Sequence, residues 1–190
     1  LTEPLAVAIH AVRRVSGRDQ RVLIAGAGAI GLLIARVARQ MGAVSVCLSD
    51  VSEGRRALAW SMGFDAVLPD ELPPSGADCV FVATDAPAAL RAVPYLTDFG
   101  GTAVVVGLLH EVPLDWFGLL MKEATIATSR YFTLADFQLG IELLAARQVD
   151  VNGLIQDEAA FDDLADRHGE AVIERARRVV RLVIKMPAAN

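Results

Sequence analysis

The chain has 190 residues, enough for one domain, or for one domain and a fragment of another. It is 54% hydrophobic, and 18 Lys and Arg against 23 Asp and Glu leave a net charge of −5, which argues against a disordered chain and against general nucleic-acid binding. The longest apolar stretch, residues 22–35, is too short for a membrane span and is interrupted by Gly26, Gly28 and Gly31.

In chain order, residues 5–15 carry apolar side chains at helical spacing and stop at Arg13-Arg14 before Ser16-Gly17. A first strand covers 21–25, a helix 30–41 closed by Gly42, and a second strand 44–48 that ends at Ser49-Asp50. Ser52 is the expected N-cap of a helix running to Met62, with Glu53 in its first turn. Residues 63–68 give a third strand, 72–76 a Pro/Gly turn and 79–83 a fourth strand. The helix predicted over 86–96 has Pro87 in its first turn, where a missing N–H costs little.

Gly100-Gly101 turn into a fifth strand over 102–106, followed by a short helix over 114–121 and a sixth strand over 124–128. Residues 133–147 read as a further helix. Beyond Asp157 the pattern is charged and helical, and it closes in a strand over 179–184. Strands without polar alternation, interleaved with helices, predict an α/β fold: a doubly wound, six-stranded parallel sheet covered on both faces.

Within this frame, VLIAGAGAIG at residues 22–31 joins a buried strand, a glycine turn and a helix start, and Asp50 follows nineteen residues after Gly31. Gly26 suits the tight turn, Gly28 lets a pyrophosphate approach the backbone, and Gly31 lets the helix pack on the strand. The helix N-terminus offers free N–H groups to phosphate, so Ala29 and Ile30 belong to the site with the three glycines. This is the Rossmann pattern, and the acidic residue at the right distance separates it from a ligand-free glycine turn.

A carboxylate at Asp50 can accept both ribose hydroxyls of NAD and would repel the extra phosphate of NADP; the alternative is a loop or helix-capping carboxylate. Arg55 suits covering the adenine or its ribose, or stabilising NADP. Ligands of such sheets sit at the carboxyl ends of the strands. That adds Ala83 and Thr84 after strand four, Val106, Gly107 and Leu108 after strand five, and Ser129 and Arg130 after strand six; ordinary βα turns are the plain alternative. His10 on an apolar helix face reads as structural, His110 has no identifiable partner, and His168 reads as solvent-facing. Cys47 and Cys79 lie in apolar runs, as core thiols of a reducing cytoplasm rather than a disulfide. There is no metal-ligand spacing, nucleophile elbow or GxxxxGK loop, so the sequence holds a cofactor site without catalytic residues.

Together Glu3-Pro4-Leu5-Ala6-Val7, the GAGAIG turn, Gly76-Ala77-Asp78 and Gly100-Gly101-Thr102 through Val106-Gly107 resemble the medium-chain dehydrogenase/reductase superfamily over residues 2–155, nearest its zinc-dependent alcohol, polyol and threonine dehydrogenases. Ser129-Arg130-Tyr131 looks like the point where that family's chain leaves its cofactor domain. The resemblance implies a cofactor domain over 1–130 and a tail over 131–190 that returns to an N-terminal catalytic domain absent from this chain. It implies NAD in preference to NADP, zinc in the intact enzyme, an alcohol or polyol substrate, and a homo-oligomer formed through the strands at 104–106 and 124–128. By the same resemblance Glu3 lies at the catalytic zinc; on its own residues it reads equally as an acid favoured by the helix dipole.

In the tail Gln156-Asp157-Glu158 departs from the family pattern, as does the replacement of a Gly-Lys step by Arg177-Arg178 and Arg181, of which Arg181 is assigned the phosphate-facing role. Two rivals stand beside the alcohol dehydrogenase: a zinc-free quinone-reductase-like oxidoreductase, and a non-catalytic dinucleotide-binding module. The opening Leu1 fits a trimmed chain or one whose upstream part is absent.

Overall fold

A computed structural model describes residues 1–15, 20–74, 76–165 and 169–185. They fall into two compact units, Leu1–Asp150 and Val151–Asn190. The first contains α1 (Thr2–Val12), β1 (Arg21–Ala25), α2 (Ala29–Gln40), β2 (Ser45–Ser49), α3 (Glu53–Ser61), β3 (Asp65–Val67), β4 (Ala77–Val82), α4 (Pro87–Leu96), β5 (Thr97–Val105), α5 (Trp116–Met121), β6 (Thr125–Thr128) and α6 (Leu134–Ala145). The six strands form one parallel sheet in the order β3-β2-β1-β4-β5-β6. Strand order reverses between β1 and β4, and a sheet of this kind opens its ligand crevice at that switch point.

Continuous apolar runs build the strands because both faces are covered. Ile24 pairs in register with Leu48 on one side and Phe81 on the other, and all three are fully buried. Leu23, Val80, Val82 and Ala103 pack with Leu90, Val93 and Leu96 of α4 and Leu119 of α5. Each such side chain contributes roughly 1.5–3 kcal/mol of transfer free energy. Helix α2 lies against β1 and β2, and α1 packs on both α2 and α6.

The α1–α6 contact is locked by a carboxylate. Asp136, 2% exposed, accepts hydrogen bonds from the Thr133 amide (2.9 Å) and hydroxyl (2.7 Å) and from Arg13 Nη1 (2.9 Å), and it pairs with His10 Nδ1 at 2.8 Å. Thr133 and Asp136 thereby form a reciprocal capping box that starts α6. Burial alone would raise this carboxyl, but the hydrogen bonds from Thr133, His10 and Arg13 outweigh it and hold the group at about 2. His10 is therefore structural, as its apolar helix face suggested.

Several boundaries differ from expectation. Helix α1 starts at Thr2 rather than residue 5, because Pro4 in the first turn sacrifices an N–H with no intrahelical partner and Glu3 meets the positive helix end. Strand β5 starts at Thr97, so Gly100-Gly101 lie inside it; Gly100 takes φ +70° and donates its N–H to Lys122 O. The turn after β3 is a 3-10 segment at Pro69–Glu71, ahead of the expected 72–76. The first compact unit runs to Asp150, and the Asp136 lock and the α1 contact tie α6 to the sheet.

The second unit pairs β7 (Asp157–Ala160) with β8 (Leu182–Lys185) in parallel, with α7 (Asp162–Ala165) and α8 (Gly169–Arg178) between them in sequence. Arg175 grips the Asp157 carboxylate through Nε and Nη2 and donates to Glu158 O. The final strand was expected; β7 was not. The predicted helix stop at Ser16-Gly17 and the reading of His168 fall outside the described residues, as do the side chains of Arg177 and Arg178. No helix among the described residues is long and apolar enough to cross a membrane.

Candidate dinucleotide site

The glycine turn leaves β1 at the switch point. Gly26 has φ +107°, and a Cβ there would lie 2.7 Å from Ala83 O. A Cβ on Gly31 would lie 1.9 Å from Gly26 O, so this glycine lets α2 close onto the turn. Gly28 differs from both. It is the N-cap of α2 with extended backbone, and a Cβ there would meet nothing within 4 Å. Its missing side chain is thus not demanded by protein packing; it leaves open space in front of the first N–H groups of Ala29, Ile30 and Gly31, where a phosphate is favoured.

Asp50 stands beside this turn, 7% exposed. Its Oδ2 accepts the Ala27 N–H at 2.9 Å and its Oδ1 the Ser52 N–H at 2.9 Å. Arg55 Nη1 lies 3.5 Å from Oδ2, and Arg56 Nη1 donates to the Asp50 carbonyl at 2.8 Å. Ser52 caps α3 through the Arg55 N–H, as expected. Gly26, Gly28, Asp50, Arg55, Ala83 and Thr84 line one open cavity of about 380 Å³, joined by Asp85 and Ala86. Asp85 follows strand four with Thr84 and reads from sequence equally as an ordinary turn residue, so it was not assigned; Ala86 was missed, its place just after a strand end being the available signal.

Val106 and Gly107 both donate to Val82 O at 2.9 Å, which ties the end of β5 to the end of β4. Gly107 has a packing reason for being glycine: a Cβ would lie 2.0 Å from Thr84 O. Leu108 is 82% exposed beyond it. Ser129 N–H donates to Val105 O at 2.9 Å, and its buried hydroxyl has no partner among the described residues. Arg130 stacks over the Tyr131 ring at 4.5 Å, both exposed, with Tyr131 at φ +58°.

Arg181 lies in the second unit, where its carbonyl accepts the Gln156 N–H. Glu3 is exposed in the first turn of α1, and among the described residues no three His, Cys, Asp or Glu side chains gather where a metal ion could be held. The donor set therefore does not fit zinc, which needs about four ligands including water. Burial, with Asp78 adding to it, pushes the Cys79 thiol up to about 12, so it is a core group and not a nucleophile.

The zinc-binding dehydrogenase family model matches residues 29–146, a span that runs from the start of α2 to the end of α6. The chain belongs to this family. It is 31% identical over 176 residues to 2-dehydro-3-deoxy-L-galactonate 5-dehydrogenase of Pseudoalteromonas atlantica, covering 86% of this chain and 51% of that protein. L-idonate 5-dehydrogenase from Escherichia coli superposes with a TM-score of 0.86 at 27% identity, over 97% of this chain and 56% of that one. A zinc-binding dehydrogenase of Sinorhizobium meliloti 1021 bound to NADP superposes with a TM-score of 0.80 at 27% identity, over 87% and 53%. This family member thus spans about half the length of the relatives it matches.

Proposed function

We propose that the chain is the NAD-binding part of a zinc-type dehydrogenase that moves hydride between a dinucleotide and a secondary alcohol of a polyol or sugar acid. The observation that carries the dinucleotide is the open space at Gly28 in front of the α2 N-terminus, with Asp50 buried beside it. Gly26, Gly28, Ala29, Ile30 and Gly31 would hold the pyrophosphate, Asp50 and Arg55 the adenosine end, and Ala83, Thr84, Val106, Gly107, Leu108, Ser129 and Arg130 would lie toward the nicotinamide. When bound, the nicotinamide supplies the hydride acceptor. The chain's own residues bind it, orient it and keep its phosphates on helix N–H groups.

Asp50 favours NAD, because a 2′-phosphate would meet a buried carboxylate. Arg55 and the NADP-bound relative pull the other way, so the choice is open to measurement. Isothermal titration of the protein with NADH and NADPH is expected to give at least tenfold tighter NADH binding, the worth of one charge-assisted hydrogen bond. Tighter NADPH overturns the NAD assignment, and binding of neither overturns the dinucleotide site. Zinc enters this reading through Glu3 alone, so no step is assigned to it. The substrate class comes from the named relatives and from the polyol dehydrogenases that the chain resembles.

A second copy of the chain is the proposed partner. β6 is an edge strand, and Trp116, Phe117 and Leu120 of α5 are each about 70% exposed nearby in sequence. Unpaired edges and apolar surface call for cover. Light scattering is expected to give twice the chain mass, and Trp116→Glu with Phe117→Glu to shift it to one chain; a monomeric wild type ends this idea. Two free cysteines suit a reducing compartment such as the cytoplasm.

A further inference from the structure

We infer that Asp50 has a second task beside the ribose: it is a positioning residue that holds the glycine turn in shape for any dinucleotide, so that cofactor affinity and cofactor choice run through different hydrogen bonds of one carboxylate. The inference rests on the dinucleotide reading of the site. Ala27 is fully buried inside the turn, and its N–H donates to Asp50 Oδ2 at 2.9 Å. The turn is also pinned at Gly26, whose N–H reaches Ser49 O at 2.7 Å. Asp50 itself is fixed by the Ser52 N–H on Oδ1 and by Arg56 on its carbonyl. The carboxylate therefore couples the β1–α2 turn to the β2–α3 turn.

A carboxylate oxygen has about two acceptor positions. Each Asp50 oxygen spends one on a backbone N–H; Oδ1 keeps one for a ribose hydroxyl, and a second hydroxyl would share Oδ2 with Arg55 Nη1, 3.5 Å away. Removing the side chain takes away the only acceptor shown for the N–H of the fully buried Ala27, and the turn loses the bond that holds it in shape. Its deformation moves the phosphate-binding amides of α2, which NADH and NADPH use alike. Truncation of the side chain should thus fail to create an NADPH binder, even though it removes the negative charge.

Two substitutions separate the tasks. In Asp50→Ala both the acceptor and the charge are lost. In Asp50→Asn the amide oxygen can still serve Ala27, leaving Ser52 at the half-buried mouth to water, while the repulsive charge is gone and Arg55 remains. Titration is expected to show NADPH affinity falling about tenfold in Asp50→Ala, as for a lost buried hydrogen bond, but holding or rising in Asp50→Asn. NADH affinity falls in both. Hydrogen exchange of the ligand-free protein is expected to show the Ala27 amide losing protection in Asp50→Ala and keeping it in Asp50→Asn.

Asp50→Ala binding NADPH as tightly as Asp50→Asn, or keeping Ala27 protected, overturns the inference. Failure of the wild type to bind either cofactor overturns the dinucleotide reading instead, while the exchange measurement still decides whether Asp50 holds the turn.

Discussion

Gly31→Ala is expected to destabilise the protein by more than about 2 kcal/mol and to abolish dinucleotide binding, although alanine is the better helix former by about 1 kcal/mol. The added methyl would sit 1.9 Å from Gly26 O and 3.4 Å from Ile24 Cγ2. The first of these is a backbone atom in a turn already fixed by the Ser49, Asp50 and Ala83 contacts, so no flexible side chain can yield. Either α2 lifts off β1, exposing part of the face that buries Leu32 and Ile34, or the turn opens and loses its phosphate geometry. Thermal unfolding and NADH titration read the two outcomes. A variant that melts within a degree of wild type and still binds NADH contradicts the packing described for this glycine.

Asp136→Ala is expected to cost about 3 kcal/mol, since it removes the capping box of α6 and leaves His10 and Arg13 without their buried partner. Asp136→Asn, which keeps an acceptor for Thr133, should cost less. Acid gives an independent reading of the same group. Its folded pKa of about 2 lies below the ordinary aspartate value of 3.8, so its stabilisation is complete above about pH 5 and is lost as the pH falls toward 2. The difference corresponds to about 2 kcal/mol. Urea midpoints followed from pH 6 to pH 2.5 should fall in wild type by more than in Asp136→Asn. Parallel slopes in the two proteins would remove Asp136 as the titrating lock.

The elements that were legible in the sequence are those whose signal is local. The first strand and its glycine turn, the Ser52 cap and the Pro87 helix start each need only a few neighbouring residues to specify them, and they stand where expected. β7 carries Asp-Glu-Ala-Ala, which has no strand propensity; it exists through pairing with β8, about 25 residues away. Gly100 was read as a turn because a Gly-Gly pair usually marks one, but at φ +70° its N–H is accepted by Lys122 O and the strand runs on.

The site divides along the same line. Spacing singled out Gly26, Gly28, Gly31 and Asp50, the place of Arg55 just after Asp50 added it, and the carboxyl edge added Ala83 and Thr84; all but Gly31 line one cavity. The Ala27–Asp50 hydrogen bond and the Asp136 lock were not legible, because each joins segments separated in the chain, by 23 residues in one case and 126 in the other between Asp136 and His10. Arg181 was assigned by family likeness alone, and it lies in the second compact unit.

Gly28 gives the three glycines unequal fates under drift. A side chain at position 26 or 31 injures the fold, and selection for stability alone would remove it. A side chain at 28 would project into vacant space and meet no protein atom. A descendant that had abandoned its dinucleotide could therefore accept a substitution at 28 while retaining glycine on either side, and would still pass as the same fold. The history of binding in such a lineage would be written at that one position, with the flanking pair recording only that the protein remained folded.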